Sequence, residues 1–185
     1  MLKYYQFSRP QKGRGRSLVF GGRNLIYTQK KFFEIHDQLA WILNNVSPME
    51  RIRGGFFMVA NPVNGVALFT TITGEIHSNK VAALSGAVAE EAAQLAANPG
   101  QDTSFLCLTG NPQKEVASAI RTRGFIFSLA GGPRETCEAI LFCLACRLDQ
   151  ITLKEAEGLA LLTSNQQFAR IWKAVPTEIQ EPLFA

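Results

Sequence analysis

The sequence has no apolar run long enough to cross a bilayer. Its longest apolar stretches, such as residues 56–60 and 140–146, fall far short of the roughly 20 residues that a transmembrane helix needs. The opening residues, MLKYYQFSRPQKGRGR, have no hydrophobic segment behind their charges, so neither a signal peptide nor a membrane anchor is predicted. We therefore expect a cytoplasmic protein that does not insert into membranes.

Histidine and cysteine are scarce, which limits metal chemistry. The only histidines are His36 and His77. The four cysteines are Cys107, Cys137, Cys143 and Cys146. Three of them fall in one apolar stretch, which predicts buried, reduced thiols. Cys143 and Cys146 have CxxC spacing, but a metal or redox site also needs convergent ligands or a thiolate-stabilising helix start, so no structural zinc is expected.

Acidic residues are absent from the first 31 positions, which we call the basic segment. It carries +8, and because the whole chain carries +4, residues 32–185 carry −4. The cations are Lys3, Arg9, Lys12, Arg14, Arg16, Arg23, Lys30 and Lys31. The aromatic residues among them are Tyr4, Tyr5, Phe7, Phe20 and Tyr27.

Cations that neutralise phosphates, interleaved with rings that stack on bases, are typical of a segment that binds nucleic acid. We therefore predict DNA as the partner of the basic segment. The residues expected to contact it are Lys12, Arg14, Arg16, Arg23, Lys30, Lys31, Tyr4 and Tyr5. Two alternatives stay open: an acidic protein surface as the partner, or a solvated loop whose aromatic side chains complete the core.

The remaining pattern indicates one domain. A chain of 185 residues can bury about 70% of its unfolded surface in a single core. Residues 17–20 and 24–28, around the glycines at 21–22, predict a hairpin. Apolar spacing predicts a helix over 29–46 that Ser47 and Pro48 end. Strands are predicted at 56–60 and 66–72, followed by a helix that Ser78 or Asn79 caps and that runs to about residue 97.

Residues 104–148 show an alternating pattern. Strands predicted at 104–108 and 125–129 alternate with helices at 113–122 and 135–148, which favours parallel pairing with crossover helices. Thr152 and Glu155 form a capping-box pattern at the start of a further helix, and another helix is predicted over 166–173. Residues 176–185 are expected to form a loose tail. The predicted fold is a single compact α/β domain, with α+β as an alternative, whose mixed sheet is flanked by helices.

A glycine turn before the 135–148 helix predicts an anion site. Gly131 and Gly132 follow an apolar strand and lead through Pro133 to Arg134 at the helix start. Glycine lets a phosphate approach the backbone, the first helical N–H groups are free to donate to it, and Arg134 adds a positive charge. The alternative is a purely structural turn, because proline favours a first helical turn and glycine permits the bend.

Gly131–Arg134 also matches a G-x-x-R signature between a strand and a helix, with Asn111 and Gln113 upstream. In these features residues 104–148 resemble the superfamily that joins partition protein B nucleases and NTPases to sulfiredoxin. The resemblance implies a core like that of those proteins, and nucleotide or phosphate contacts from Asn111, Gln113 and the glycine turn. Sulfiredoxin has cysteine and histidine where this chain has Gly132 and Pro133, so reduction of sulfinic acids is not expected.

Small, basic, plasmid-encoded members of this superfamily include fertility-inhibition factors of the oncogenic-suppression (Osa) type. The resemblance therefore implies a DNase or ATPase that uses Mg²⁺ and ATP and blocks plasmid or DNA transfer. Arg134 would hold a phosphate, while Glu135 or Glu138 would bind the metal or activate water. Glu135 could equally stabilise the helix dipole without any catalysis.

Two other functional classes fit the same sequence. One is a non-catalytic inhibitor or adaptor that binds DNA, or a protein of a conjugation or secretion system, through the basic segment. The other is a small-ligand sensory or scaffolding domain built on the mixed sheet.

Overall fold

The structure is a computed structural model that describes residues 19–20, 23–24, 29–50, 52–107 and 117–176. The helices are α1 (Gln29–Glu50), α2 (Ser78–Ala97), α3 (Arg134–Arg147), α4 (Leu153–Leu162) and α5 (Gln167–Ala174), with a 3₁₀ turn at Ser104–Cys107. The strands are β1 (Val19–Phe20), β2 (Arg23–Asn24), β3 (Gly54–Ala60), β4 (Ala67–Gly74), β5 (Ala117–Arg121) and β6 (Ile126–Ala130). In the part of the chain described, no helix is both long and apolar enough to cross a membrane.

The main sheet has four strands in the order β4-β3-β6-β5, and every neighbouring pair is antiparallel. The predicted mixed α/β fold is confirmed, but the parallel pairing was wrong. β5 and β6 are joined by a tight turn in which the Thr122 N–H donates to the Phe125 carbonyl, 2.8 Å away. So short a connection can only join antiparallel strands.

The predicted helix over 113–122 is also wrong where the structure describes it, because Ala117–Arg121 is strand β5. The strand predicted at 104–108 is a 3₁₀ turn over Ser104–Cys107. β5 lies under helices on both faces, so its side chains are almost all buried and show no alternation. A short apolar run buried on both faces resembles a piece of buried helix in sequence.

Helices cover the two faces of the sheet unequally. On one face α2 packs against β3, β5 and β6, and the core there includes Val88, Leu95 and Ala119. On the other face α1, α3 and α5 enclose a larger core that includes Leu39 and Phe127. α3 is enclosed by the sheet on one side and by α1, α4 and α5 on the others, so most of its residues are buried.

Two helix ends differ from those predicted from the sequence. α1 runs through Pro48 to Glu50, where Arg170 of α5 holds its last turn by an ion pair to Glu50 at 2.9 Å and a hydrogen bond to the Met49 carbonyl at 3.3 Å. These contacts offset the backbone hydrogen bond that proline removes. α2 begins after His77, and no side chain caps it, so the predicted cap at Ser78 or Asn79 was wrong.

Two short-range predictions are confirmed. The hairpin is present, with Phe20 opposite Arg23 across residues 21–22. The capping box also forms: the Thr152 hydroxyl accepts from the Glu155 N–H at 3.2 Å, and the Glu155 carboxylate accepts from the Thr152 N–H at 2.6 Å.

The two outer edges of the sheet, along β5 and β4, differ in their hydrogen bonding. Along β5, Thr103 forms a bridge to Ile120, and the Arg121 N–H donates to the Asp102 carbonyl at 2.7 Å. The Ser104 hydroxyl also accepts from the Ala119 N–H at 2.9 Å. Along β4, no strand of the described residues pairs with the outer edge. Within the part of the chain that the structure describes, one edge is therefore covered and the other is not.

The Arg121 side chain fastens the end of α2 to the β5 edge. Its guanidinium donates to the carbonyls of Leu95 and Asn98 at the C-terminus of α2, where carbonyls have no helical partner. It also donates to Gln101 at 3.1 Å and to Pro62, in the β3–β4 turn, at 2.9 Å. One cation thus satisfies carbonyls of α2, of the segment that follows it and of the β3–β4 turn.

Candidate functional site

Arg134, the residue on which the predicted phosphate site depends, begins α3 and is only 7% exposed. Its Nη2 atom lies 3.0 Å from the Glu91 carboxylate of α2 and 3.3 Å from the Ser104 hydroxyl. The guanidinium carbon lies 5.1 Å from the centre of the Phe105 ring. The guanidinium therefore points into the protein and is occupied by an ion pair, a hydroxyl and an aromatic face.

This ion pair connects three separate parts of the fold. Glu91 belongs to α2, Ser104 to the segment that covers β5, and Arg134 to α3. Removing one member of a buried pair leaves an uncompensated charge in the interior, which costs about 3–5 kcal/mol. The geometry therefore favours a structural role for Arg134.

Glu138 lies one turn further along α3 and is fully buried. One carboxylate oxygen accepts a hydrogen bond from the Thr103 hydroxyl. The other accepts from the Thr163 hydroxyl at 3.0 Å and from the Asn165 amide at 2.8 Å. Three neutral donors thus satisfy this carboxylate, and they tie α3 to the β5 cover and to the α4–α5 connection.

Glu135 lies in the first turn of α3, where its side chain is exposed and its carbonyl accepts from the Asn165 amide at 2.9 Å. The three predicted catalytic side chains do not share one open site, since Arg134 and Glu138 are buried in separate sets of contacts. Their catalytic roles stay predictions. The geometry favours internal support for Arg134 and Glu138, and helix-dipole stabilisation for Glu135.

The glycine turn has a packing explanation. Gly131 has φ = +146°, and a Cβ atom there would collide with the Gly54 carbonyl of the neighbouring strand. At Gly132 a Cβ atom would lie 2.9 Å from the Ile52 side chain. Pro133 is the N-cap of α3, and its carbonyl accepts from the Cys137 N–H at 2.9 Å. Packing alone therefore explains why these three residues are Gly, Gly and Pro. Their phosphate contacts stay predictions.

Gly131 does line an open cavity of about 560 Å³ at the end of the sheet, together with Gly54 and Glu75. The cations of its wall are Arg53 and Lys80, His77 also lines it, and Arg134 is not among the lining residues. Arg53, His77 and Lys80 are exposed and have no ion pair or side-chain hydrogen bond within the described residues. Sequence reasoning missed this grouping because Arg53 lies 24 positions before His77 and no motif joins them.

Most of the residues predicted to contact nucleic acid lie outside the part of the chain that the structure describes. Lys12, Arg14, Arg16, Tyr4 and Tyr5 lie outside the described residues, as do the predicted phosphate ligands Asn111 and Gln113.

The described part of the basic segment is small. Arg23 belongs to β2, and Lys30 and Lys31 lie in the first turn of α1. Lys30 is exposed, while the Lys31 ammonium lies 2.9 Å from the Glu34 carboxylate. Cations at a helix N-terminus are disfavoured by the helix dipole, so any stabilisation of α1 by Lys31 comes from its pair with Glu34.

The cysteines are free thiols, and Cys137 and Cys143 are buried as predicted. Burial raises the pKa of Cys137 to about 12. Burial, with a smaller contribution from Glu155 and Glu157, raises the pKa of Cys146 to about 11. The thiolate needed for redox or metal chemistry is therefore disfavoured at neutral pH. Among the described residues, no three His, Cys, Asp or Glu side chains are grouped as a metal site requires.

Comparisons with protein-family models, with curated proteins and with solved structures find no match for this chain. The relationship to the partition protein B and sulfiredoxin superfamily therefore stays a prediction.

Proposed function

We propose that this chain is a non-catalytic DNA-binding adaptor that contacts the phosphate backbone through the basic segment and uses the α/β body as its scaffold. The charge distribution carries this proposal, because the first 31 residues hold +8 and the remaining residues sum to −4. A polyanion is attracted to the first region and repelled by the second.

The contacts of the body support the same conclusion. The two residues best suited to phosphate and metal chemistry, Arg134 and Glu138, are occupied by internal partners. Lys30, by contrast, is exposed at the junction between the basic segment and α1. Lys30 therefore carries the charge of the basic segment onto the surface at the start of α1.

Binding to a labelled DNA duplex, followed by fluorescence anisotropy, tests the proposal. Replacing Lys12, Arg14 and Arg16 together with glutamine should weaken binding by roughly tenfold or more, because three phosphate contacts are lost. The matched control replaces three exposed cations of the body, Arg123, Lys154 and Lys173, with glutamine. Equal weakening by both triple variants would show that net charge alone, and not the basic segment, determines binding.

A phosphohydrolase that acts on DNA or ATP is the second candidate, and the cavity beside Gly131 is the observation that favours it. Its cations Arg53 and Lys80, which have no ion pair within the described residues, could contact a phosphate there. Incubation with linear DNA, Mg²⁺ and ATP tests this candidate. Cleavage or hydrolysis that Arg53→Gln and Lys80→Gln abolish, and that Lys154→Gln leaves intact, would replace the adaptor proposal with this one.

A further inference from the structure

β4 is an edge strand: no strand of the described residues pairs with its outer side, and a β-bulge at Leu68 interrupts its register with β3. It is eight residues long and contains no charged residue and no proline. Thr70 and Ile72 are exposed, and Val63 and Val66 in the preceding turn are 74% and 59% exposed. Natural edge strands are commonly shortened, charged, interrupted by proline or covered, because their free N–H and C=O groups pair readily with a foreign strand.

The opposite edge of the sheet, along β5, is covered. The segment around Thr103 and Ser104 covers β5 through backbone and hydroxyl hydrogen bonds. α1 covers only one face of β4, where the Phe32 and Phe69 rings stack with centroids 5.2 Å apart. α2 packs on β3, β5 and β6, which leaves Thr70 and Ile72 exposed.

We propose that β4 pairs antiparallel with β4 of a second copy about a two-fold axis at Thr70, which joins two four-stranded sheets into one of eight strands. This operation keeps both α1 helices on the same face and places Thr70 opposite Thr70. Phe69 then lies opposite Thr71 on each side of the axis, up to the β-bulge at Leu68. Threonine pairs and pairs of aromatic with β-branched residues are favourable across antiparallel strands. A two-fold contact uses the same edge on both copies, so it forms a dimer and does not propagate to further copies.

The charges around β4 fit a second copy of the same chain. The chain has no charged residue from Gly54 to Gly74, and the first charged residue after the strand is Glu75. No like charges face each other along the paired strands, so self-association meets no local electrostatic barrier there. An uncharged, self-complementary edge suits an identical strand.

The dimer has a consequence that rests on the proposed DNA binding. α1 begins next to β4, since Phe32 in its first turn contacts Phe69. The α1 starts of both copies therefore lie near the two-fold axis and on one face. Two basic segments would then reach the same stretch of DNA, which increases avidity without any new contact.

Sedimentation equilibrium of the full chain without DNA tests the dimer. The wild type should have twice the chain mass of 20.4 kDa, and Thr70→Lys should have the single-chain mass because it brings two ammonium groups together at the axis. Ala97→Lys adds the same charge at an exposed position at the end of α2 and should remain dimeric. A circular dichroism spectrum equal to that of the wild type shows that Thr70→Lys is folded.

A cross-link checks the register by a second route. Two-fold related Cβ atoms at position 70 would lie about 4.5–5.5 Å apart, so Thr70→Cys should form a disulfide-linked dimer under mild oxidation. The wild type, with its own four cysteines, measures the background. A monomeric wild type, a dimer unaffected by Thr70→Lys, or cross-linking of Thr70→Cys no greater than background would each overturn the proposal. Because DNA is absent, these results do not depend on whether the chain binds DNA.

Discussion

The positive charges of this chain fall into two regions with opposite environments. In the body, Arg134 is buried against Glu91, and Arg121 is bonded to backbone carbonyls. In the basic segment, eight cations stand without a single acid among them. Arginine in the first region holds elements of the fold together, whereas the second region contains no acid of its own to pair with its cations. The position of an arginine in a helix-start motif therefore does not by itself indicate a ligand site.

The largest effect that sharpens this comparison is expected at Arg134. Arg134→Met should lower the free energy of unfolding by about 3–5 kcal/mol, because it breaks the buried ion pair with Glu91. Urea denaturation of the purified variant measures the change. The double variant Arg134→Met/Glu91→Leu should recover much of the loss, because it leaves no uncompensated charge. A single variant as stable as the wild type would mean that Arg134 is available to a ligand.

The next largest loss of stability is expected at Arg121. Arg121→Gln removes hydrogen bonds from a charged group to carbonyls at the end of α2 and in the β3–β4 turn, so the free energy of unfolding should fall by about 1.5–3 kcal/mol. Arg123→Gln is the matched control, since Arg123 is 63% exposed and lies 3.6 Å from Glu155. An exposed pair of this kind contributes about 0–1 kcal/mol. Equal losses in the two variants would contradict the fastening role of Arg121.

A smaller effect is expected at the capping box of α4. Thr152→Ala should cost about 1 kcal/mol in urea denaturation, because the Glu155 N–H loses its acceptor. Hydrogen bonds from Thr152 hold the pKa of Glu155 below its ordinary value, so its contribution is present above that ordinary pKa and disappears as pH falls through the lowered one. The stability difference between the wild type and Glu155→Gln should therefore shrink in acid. A difference that grows in acid would contradict this assignment.

The smallest effects are expected at the buried thiols, which should be unreactive near neutral pH. Burial raises the pKa of Cys137 to about 12, and also raises that of Cys143, so neither should react with a thiol reagent at pH 8 in the folded protein. Both should react at once in denaturant. Since the folded pKa of Cys137 lies above the unfolded one, its contribution to stability is complete below the unfolded value and falls as pH rises towards 12. Rapid labelling of all four cysteines in the native state would contradict the burial.

Short-range sequence patterns predicted much of the fold, but they carry no information about contacts between distant positions. The capping box of Thr152 and Glu155 and the apolar spacing of α1 depend on neighbours within a few residues, so they can be found in the sequence. β5 was missed because a strand buried on both faces has no alternation. The partner of Arg134 is Glu91, 43 positions away, and no spacing rule connects them.

The same reasoning applies to the candidate site. The G-x-x-R signature led to Arg134, but the side chain's direction depends on α2 and on the cover of β5, which the motif does not include. The charge of the basic segment, in contrast, is a property of composition and needs no contact map. For this reason the functional proposal depends on the composition of the basic segment more than on the motif.

The most direct test of the account is the salt dependence of DNA binding by the full chain and by the variant with Lys12, Arg14 and Arg16 replaced by glutamine. Each lost phosphate contact should reduce the slope of log affinity against log salt by about 0.9, so the variant's slope should be shallower by about 2.7. Arg134→Met/Glu91→Leu, measured alongside, should keep the wild-type slope. An unchanged slope in the triple variant, or a slope lost in the Arg134 variant, would contradict the account.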